Sequence, residues 1–208
     1  MLKTQGRLDV LINAAGVVNR KALKQSTVID WDKSNEKRLM YVVAMNINVR
    51  ASFQLMSMAV PFLKDSKGTV VNVSAAAGIT PEPGAMIFSV SKAMVNMLTK
   101  CAALELGGFG IRVNAVAPGF VDTPSRMTAG EASMDLSEKE YTVLKGKTEN
   151  ATPLSNKVCD PDEVADSILW LASNDASYVT GEILVLDGGQ SLTTNLYESQ
   201  IEDMVLLL

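Results

Sequence analysis

Lys92 is the candidate proton-transfer group in this sequence. It ends the run Phe88-Ser89-Val90-Ser91-Lys92, which lies in a segment whose apolar residues recur at helical spacing. Residues four apart share one face of a helix, so Phe88 and Lys92 are predicted to stack there. A phenyl ring has no proton to give. Any acid–base step on this face therefore depends on the lysine amine and on water.

The composition excludes several other kinds of site. The 208 residues contain no histidine, so histidine-based triads are excluded, the commonest metal ligand is missing, and no metal site is predicted. A net charge of −4, with acidic and basic residues interspersed, argues against a nucleic-acid partner or a polybasic membrane patch. No nucleic acid is expected as a partner.

The same composition sets an expectation for the compartment. No stretch reaches the roughly 18 apolar residues that a membrane span needs, and the first residues lack the apolar core of a signal peptide. Cys101 and Cys159 are predicted to be free thiols, which is typical of a reducing compartment. We therefore expect a soluble intracellular protein, in the cytoplasm or an organelle matrix.

The elements that would position Lys92 follow a pattern of apolar runs alternating with helical segments. The runs lack strict alternation, which is typical of strands covered on both faces, so a parallel sheet wrapped by helices is predicted. Strands are predicted at 8–13, 69–74, 111–116 and 182–186, and helices at 36–63, 86–106 and 162–172. The predicted fold class is α/β with about four strands. Residues 1–190 are expected to form one domain, and 191–208 a C-terminal tail.

Four segments together resemble the short-chain dehydrogenase/reductase family over roughly residues 8–190. They read DVLINAAG at 9–16, VVNVS at 70–74, GIRVNAVAPG at 110–119, and VTGE at 179–182 leading to DGG at 187–189. The resemblance implies a Rossmann-like, doubly wound sheet and a nicotinamide dinucleotide as cofactor. Its cofactor-binding turns match this chain at Asn13, Gly16, Pro118, Gly119 and Thr123. These glycines would equally permit tight turns without any ligand.

The family's catalytic set is only half matched. Asn48 and Lys92 match its asparagine and lysine, whereas Ala75 and Phe88 occupy the positions of its serine and tyrosine. Ser74 is adjacent to Ala75 but points to the opposite face of a strand, so it is expected to bond nearby backbone instead. The resemblance thus implies a site without its usual proton donor, in which Asn48, Lys92 and the matching cofactor residues are vestigial.

The family's glycine-rich phosphate turn should lie well before Asn13, and seven residues precede the first predicted strand. The chain is therefore expected to be an N-terminally truncated, partial Rossmann-like domain, and no bound cofactor is expected. Segment 34–43 reads as an insertion that lengthens the helix holding Asn48 and either loops out or rotates the start of that helix.

Truncation would leave strand 8–13 at an open edge of the sheet. Helices 36–63 and 86–106 are apolar nearly all round, which is unusual for helices that cover only one face of a sheet. Core filling by methionine explains part of this pattern. The other interpretation is that the edge strand and both helices contact protein partners or further copies of this chain.

Three functions follow. The first is a catalytically silent relative of the family that serves as a structural or interaction subunit of a larger assembly. The second is an NAD(P)-dependent oxidoreductase for a carbonyl or hydroxyl substrate, with its missing parts supplied by another chain or with Lys92 relaying protons through water. The third is a truncated gene product with no settled role.

Overall fold

The computed structural model describes residues 6–18, 39–123 and 138–193. The strands in this part of the chain are β1 (Val10–Asn13), β2 (Thr69–Val73), β3 (Arg112–Pro118) and β4 (Ile183–Leu186). They form one parallel sheet in the order β1-β2-β3-β4. The prediction of an α/β fold with about four parallel strands is confirmed, with strand ends shifted by one or two residues.

The helices flank this sheet. They are α1 (Leu39–Met45), a π-helical turn (Asn46–Arg50), α2 (Ala51–Ser66), α3 (Met86–Leu106), α4 (Glu138–Ala151) and α5 (Pro161–Ala172). The first three are continuous, so residues 39–43 of the predicted insertion extend the helix. Residues 34–38 and most of the predicted tail lie outside the described residues.

The sheet is covered on both faces at its centre. Neighbouring β2 residues point to opposite faces, as expected for a strand. Val70 packs with Leu63 of α2 and Val113 of β3 on one face, and Val71 packs with Leu171 of α5 on the other. The continuous apolar runs in the sequence are therefore explained by burial from both sides.

Side chains form hydrogen bonds with the backbone groups at both ends of α5. Asp160 accepts a hydrogen bond from the backbone N–H of Asp162, and Glu163 accepts one from the backbone N–H of Asp160, which makes a capping box. At the other end, Arg112 donates to the carbonyls of Leu171 and Ser173 at 2.8 and 3.0 Å. The first residue of β3 thereby holds the last turn of α5.

β1 is the edge strand of the described sheet, and part of its apolar surface is exposed. Val10 and Ile12 are 37% and 45% exposed. Ile12 pairs with Val71 and so lies on the face that α5 covers over β2 and β3. Apolar residues of α2 and α3 are exposed as well, among them Phe53, Met58, Met97 and Leu104.

In the described segments, no helix combines the length and apolar character needed to cross a bilayer. Cys101 and Cys159 are both free thiols, as predicted.

Register brings the strand ends together. Asn13 pairs with Asn72, and Asn72 pairs with Ala115, so the carboxyl ends of β1, β2 and β3 lie at one edge of the sheet. In open α/β sheets, this edge is where ligands bind. The segments that follow these strands carry most of the predicted site residues.

Candidate active site

Asn48 fixes the turn that follows β1. Its Oδ1 accepts a hydrogen bond from the Val17 N–H at 2.8 Å, and its Nδ2 donates to the Val17 carbonyl at 3.0 Å and to Ser91 Oγ at 2.9 Å. The π-helical turn carries Asn48, which is 1% exposed. Such turns often mark functional positions in helices. Asn48 therefore joins three separate segments of the chain.

Lys92 directly follows Ser91 and lies buried in α3. Its Nζ donates to the Val73 carbonyl at the end of β2, at 2.9 Å. Burial lowers the pKa of the Lys92 amine from its ordinary 10.5 to about 8. An ammonium carries three N–H donors, and Val73 is its one acceptor among the described residues.

Gly16 borders both of these side chains. A Cβ at Gly16 would lie 3.1 Å from Lys92 Nζ and 3.4 Å from Asn48 Oδ1. Gly16 is exposed at the sheet edge. The structure thus brings together three of the predicted site residues, Gly16, Asn48 and Lys92, and a side chain at Gly16 would crowd the lysine amine.

Phe88 and Ala75 make the neighbourhood of Lys92 apolar. They pack together with Ala85 in a buried cluster, and Val18 contacts this cluster. The centre of the Phe88 ring lies 5.8 Å from Lys92 Nζ, so the predicted stacking on one helix face is observed. Neither Phe88 nor Ala75 has a hydroxyl group that could donate a proton.

Ser74 behaves as the sequence predicted. It is buried, and its Oγ donates to the backbone carbonyl of Lys92 at 3.2 Å. The 3-10 turn that follows (Ala76–Gly78) packs directly on the same part of α3. A Cβ at Gly78 would lie 2.7 Å from the Lys92 backbone carbonyl carbon, so only glycine fits without displacement. Ser74 and Gly78 hold the helix at Lys92.

The other predicted cofactor residues lie near the same edge. Asn13 is buried, and its Nδ2 donates to Asn72 Oδ1 at 2.8 Å, while its own Oδ1 has no hydrogen-bond partner in the described part of the chain. Pro118 ends β3. A Cβ at Gly119 would lie 2.9 Å from Asp187 Cβ, so tight packing already explains this glycine. Thr123 lies half-buried beyond β3.

The sequence did not predict the role of Ser91 or the hydrogen bonds that Asp122 accepts. Ser91 is fully buried and links Asn48 to the Phe88 carbonyl. The Asp122 carboxylate accepts hydrogen bonds from Tyr141 and Lys145, which tie α4 to the loop after β3. The spacing of four between Tyr141 and Lys145 was the available signal.

A second cleft lies at the ends of β3 and β4, where its lining includes Phe120, Thr148, Cys159 and Asp187. Burial raises the pKa of the Cys159 thiol to about 11, and the charge of Glu163 acts in the same direction. The thiol is therefore protonated at neutral pH and is a poor nucleophile. Metal-binding clusters of three or more His, Cys, Asp or Glu side chains are absent from residues 6–18, 39–123 and 138–193.

A parallel sheet with an asparagine and a buried lysine at its carboxyl edge defines the class of protein. The family model described as Enoyl-(Acyl carrier protein) reductase matches residues 1–191. The chain belongs to the short-chain dehydrogenase/reductase family, as the sequence segments implied.

Several curated relatives are similar to it. The chain is 37% identical to 3-oxoacyl-(acyl-carrier-protein) reductase FabG of Thermotoga maritima, over 91% of this chain and 68% of the relative. It is 37% identical to cyclopentanol dehydrogenase of Comamonas testosteroni, with the same coverage. It is 33% identical to 7alpha-hydroxysteroid dehydrogenase of Bacteroides fragilis, over 92% of this chain and 67% of the relative. These relatives are oxidoreductases by name.

Solved structures of other proteins share this fold. A short-chain dehydrogenase/reductase of unknown function from Caenorhabditis elegans, solved with cofactor, superposes with a TM-score of 0.77 at 28% identity, covering 94% of this chain and 70% of that one. Acetoin dehydrogenase YohF from Salmonella typhimurium gives 0.72 at 28% identity, with 93% and 68% covered. The Rossmann-like fold is confirmed. The expectation that no cofactor binds gains no support, since one of these neighbours was solved with one.

Proposed function

We propose that this chain works as an oxidoreductase that transfers hydride between a nicotinamide dinucleotide and a carbonyl or hydroxyl substrate. The observation that carries the proposal is the joint placement of Asn48, Lys92 and Gly16 at the carboxyl edge of the sheet. The oxidoreductase names of relatives that match nine-tenths of the chain support it. The substrate class remains a carbonyl or hydroxyl compound.

The residues at this edge fit a dinucleotide. The Lys92 ammonium has donors left over, and the buried Asn13 Oδ1 is an acceptor without a partner in the described segments. Ribose hydroxyls both donate and accept, so they would satisfy such groups. Gly16 is exposed and has no side chain, so its backbone is open to a ligand, whereas a Cβ there would lie 3.1 Å from the Lys92 amine. When bound, the dinucleotide supplies or accepts the hydride.

The chain's own residues would position the dinucleotide and move protons. Asn48 holds the turn at Val17 against α3, and Lys92 would donate a hydrogen bond to a ribose hydroxyl. With a pKa of about 8, the Lys92 amine exchanges protons with water near neutral pH. Because Phe88 cannot act as the acid, we propose that water at Lys92, or a group outside the described residues, completes the proton path. The groups that hold the phosphates would be supplied by another chain.

The test measures binding and turnover of the full chain in its native assembly. NADH and NADPH are titrated by calorimetry, and turnover is followed with a panel of ketones and secondary alcohols. We expect saturable binding of one dinucleotide and a loss of about 100-fold in turnover for Lys92→Met. Lys100→Met, an exposed lysine farther along α3, is the matched control. Absence of binding at millimolar dinucleotide would refute the proposal.

The apolar site favours a second candidate, the catalytically silent subunit. Phe88 and Ala75 pack where the family resemblance places a tyrosine and a serine. The subunit would associate with partner proteins or further copies through the exposed apolar residues of α2 and α3 and the edge of β1. Sedimentation analysis of the native particle tests this, since a monodisperse monomer contradicts it. Absence of both dinucleotide binding and turnover would favour this candidate over the first.

A further inference from the structure

We propose that the second cleft, at the ends of β3 and β4, binds a short primary alkylammonium ion. The cleft has a volume of about 80 Å³. A water molecule needs about 15 Å³ of such space, so the cleft holds roughly five non-hydrogen atoms, the size of isobutylamine. The described lining does not include Gly16, Asn48 or Lys92, so this site goes beyond the one proposed for the oxidoreductase.

Apolar side chains make up one part of the lining. Phe120, which follows β3, is buried, while Val158 before α5 and Leu186 at the end of β4 are half-buried. Leu154 and Lys157 are exposed and form the rim. The alkyl part of a ligand would therefore leave water and contact Phe120, Val158 and Leu186.

The polar part of the lining offers more acceptors than free donors. Thr148 and Thr152 are buried, and their hydroxyl groups donate to backbone carbonyls of α4 at 2.9 and 2.8 Å, so each oxygen can still accept. The Gln190 side-chain oxygen, also at the cleft, accepts no hydrogen bond from the described residues. An ammonium group matches such a lining, because it donates three hydrogen bonds and accepts none.

The charges at the cleft favour a cation. Lys157 is paired with Glu163 at 2.7 Å, so these two charges offset each other. The Asp187 carboxylate accepts from two backbone N–H groups of the following turn, both at 2.9 Å, and it forms no ion pair within the described segments. The lining therefore carries one uncompensated negative charge.

The end of α4 adds to this field. Thr148 lies in the last turn of α4, which contains no basic residue, and Thr152 directly follows the helix. The carboxyl end of a helix carries partial negative charge, which attracts cations. An ammonium ion in the cleft would thus lie between the end of α4 and the Asp187 carboxylate, and would link α4 to the turn after β4.

Three ligands of similar shape test the role of charge. Isobutylamine, isobutanol and isobutyrate are titrated at neutral pH into the full chain in its native assembly, without dinucleotide. The methyl NMR signals of Leu154, Val158 and Leu186 report binding. We expect saturable shifts with isobutylamine, and binding of isobutanol and isobutyrate at least about fivefold weaker. A smaller difference, or no saturation by about 50 mM isobutylamine, overturns the proposal.

Two variants locate the site. Asp187→Asn removes the charge at nearly constant shape and should weaken binding of isobutylamine about tenfold, with little effect on isobutanol. Asp175→Asn, at an exposed aspartate outside the cleft, is the matched control and should leave both affinities unchanged. Equal affinities of the two variants for isobutylamine would contradict the assigned role of Asp187.

Val158→Phe fills the cleft and should abolish saturable binding. Methyl signals far from the cleft show whether each variant is folded. If Asp187→Asn does not fold, the three ligands and Val158→Phe still decide. Because no dinucleotide is present, the result is separate from the oxidoreductase test: turnover without amine binding overturns the cleft proposal alone, and amine binding without turnover leaves it supported.

Discussion

The side-chain amide of Asn48 takes the place of a strand partner for Val17, accepting from its N–H and donating to its carbonyl. The same amide donates to Ser91, which precedes Lys92 in α3. The turn after β1, the π-helical turn and α3 are therefore held together by one side chain. The position of Lys92 relative to Gly16 depends on this junction.

Replacing Asn48 should loosen that junction. Asn48→Ala leaves the Val17 N–H and carbonyl and Ser91 Oγ without their partner, and we expect a loss of about 3 kcal/mol in the free energy of unfolding. Urea denaturation measures it. Asn46→Ala, an exposed asparagine in the same π-helical turn, is the control and should change stability by less than about 0.5 kcal/mol. Equal effects of the two substitutions would contradict the assigned role.

Lys92 should make the free energy of unfolding depend on pH in the alkaline range. Its pKa is about 8 in the folded protein and 10.5 ordinarily, so the unfolded chain binds more protons between these values. Its contribution to the free energy of unfolding therefore rises with pH across this window. At pH 7 the buried charge costs about 3 kcal/mol, and Lys92→Met, which also loses about 1 kcal/mol from the Val73 bond, should be about 2 kcal/mol more stable than wild type.

Denaturation of wild type and Lys92→Met at pH 7 to 10.5 checks this dependence. The advantage of the variant should shrink as pH rises and turn into a small disadvantage of up to about 1 kcal/mol near the upper end, where the loss of the Val73 bond remains. Lys100→Met, at an exposed lysine of the same helix, is the control. A difference between wild type and Lys92→Met that stays constant with pH would show that Lys92 does not titrate in this window.

Restoring hydroxyl groups should raise oxidoreductase activity. Phe88→Tyr places a phenol one helical turn from Lys92, whose positive charge favours the phenolate, and Ala75→Ser adds a second hydroxyl to the same cluster. If a dinucleotide binds, we expect the double variant to turn over carbonyl substrates about 100-fold faster than wild type. Phe88→Leu, which keeps the site apolar, should give no increase. Unchanged turnover in the double variant would show that proton donation does not limit the reaction.

Gly78 should tolerate no side chain. Gly78→Ala forces a Cβ to within 2.7 Å of the Lys92 backbone, and overpacking of this kind costs about 1–3 kcal/mol. Thermal unfolding measures the loss. Gly108→Ala is the matched control, because no atom lies within 4 Å of its added Cβ. A neutral Gly78→Ala would mean that the 3-10 turn shifts freely away from α3.

Much of this architecture could be predicted because it depends on local patterns. The apolar period gave the bounds of α3 without error, and Asp160 with Pro161 marked the start of α5 within one residue. The hydrogen bond from Ser74 to nearby backbone followed from strand alternation alone. The two helix bounds depend on residues close together in the chain, whereas the acceptor of the Ser74 hydrogen bond, the Lys92 carbonyl, lies 18 residues away.

The junction at Val17 could not be predicted in this way. Asn48 reaches Val17 only because the helix takes a π-helical turn at that point, and the sequence left open whether the preceding insertion rotated the helix. The bond from Lys92 to Val73 likewise depends on how α3 docks on β2. Contacts between distant segments are set by packing, which single-sequence periodicity does not describe.

The contact between Arg112 and the last turn of α5 links two elements that are far apart in the chain. Since one guanidinium holds the carbonyls of Leu171 and Ser173 from the first residue of β3, that turn cannot fray while the strand stays in place. Amide hydrogens at the end of α5 should therefore exchange with solvent deuterium as slowly as those of the central sheet, as parts of one cooperative opening unit.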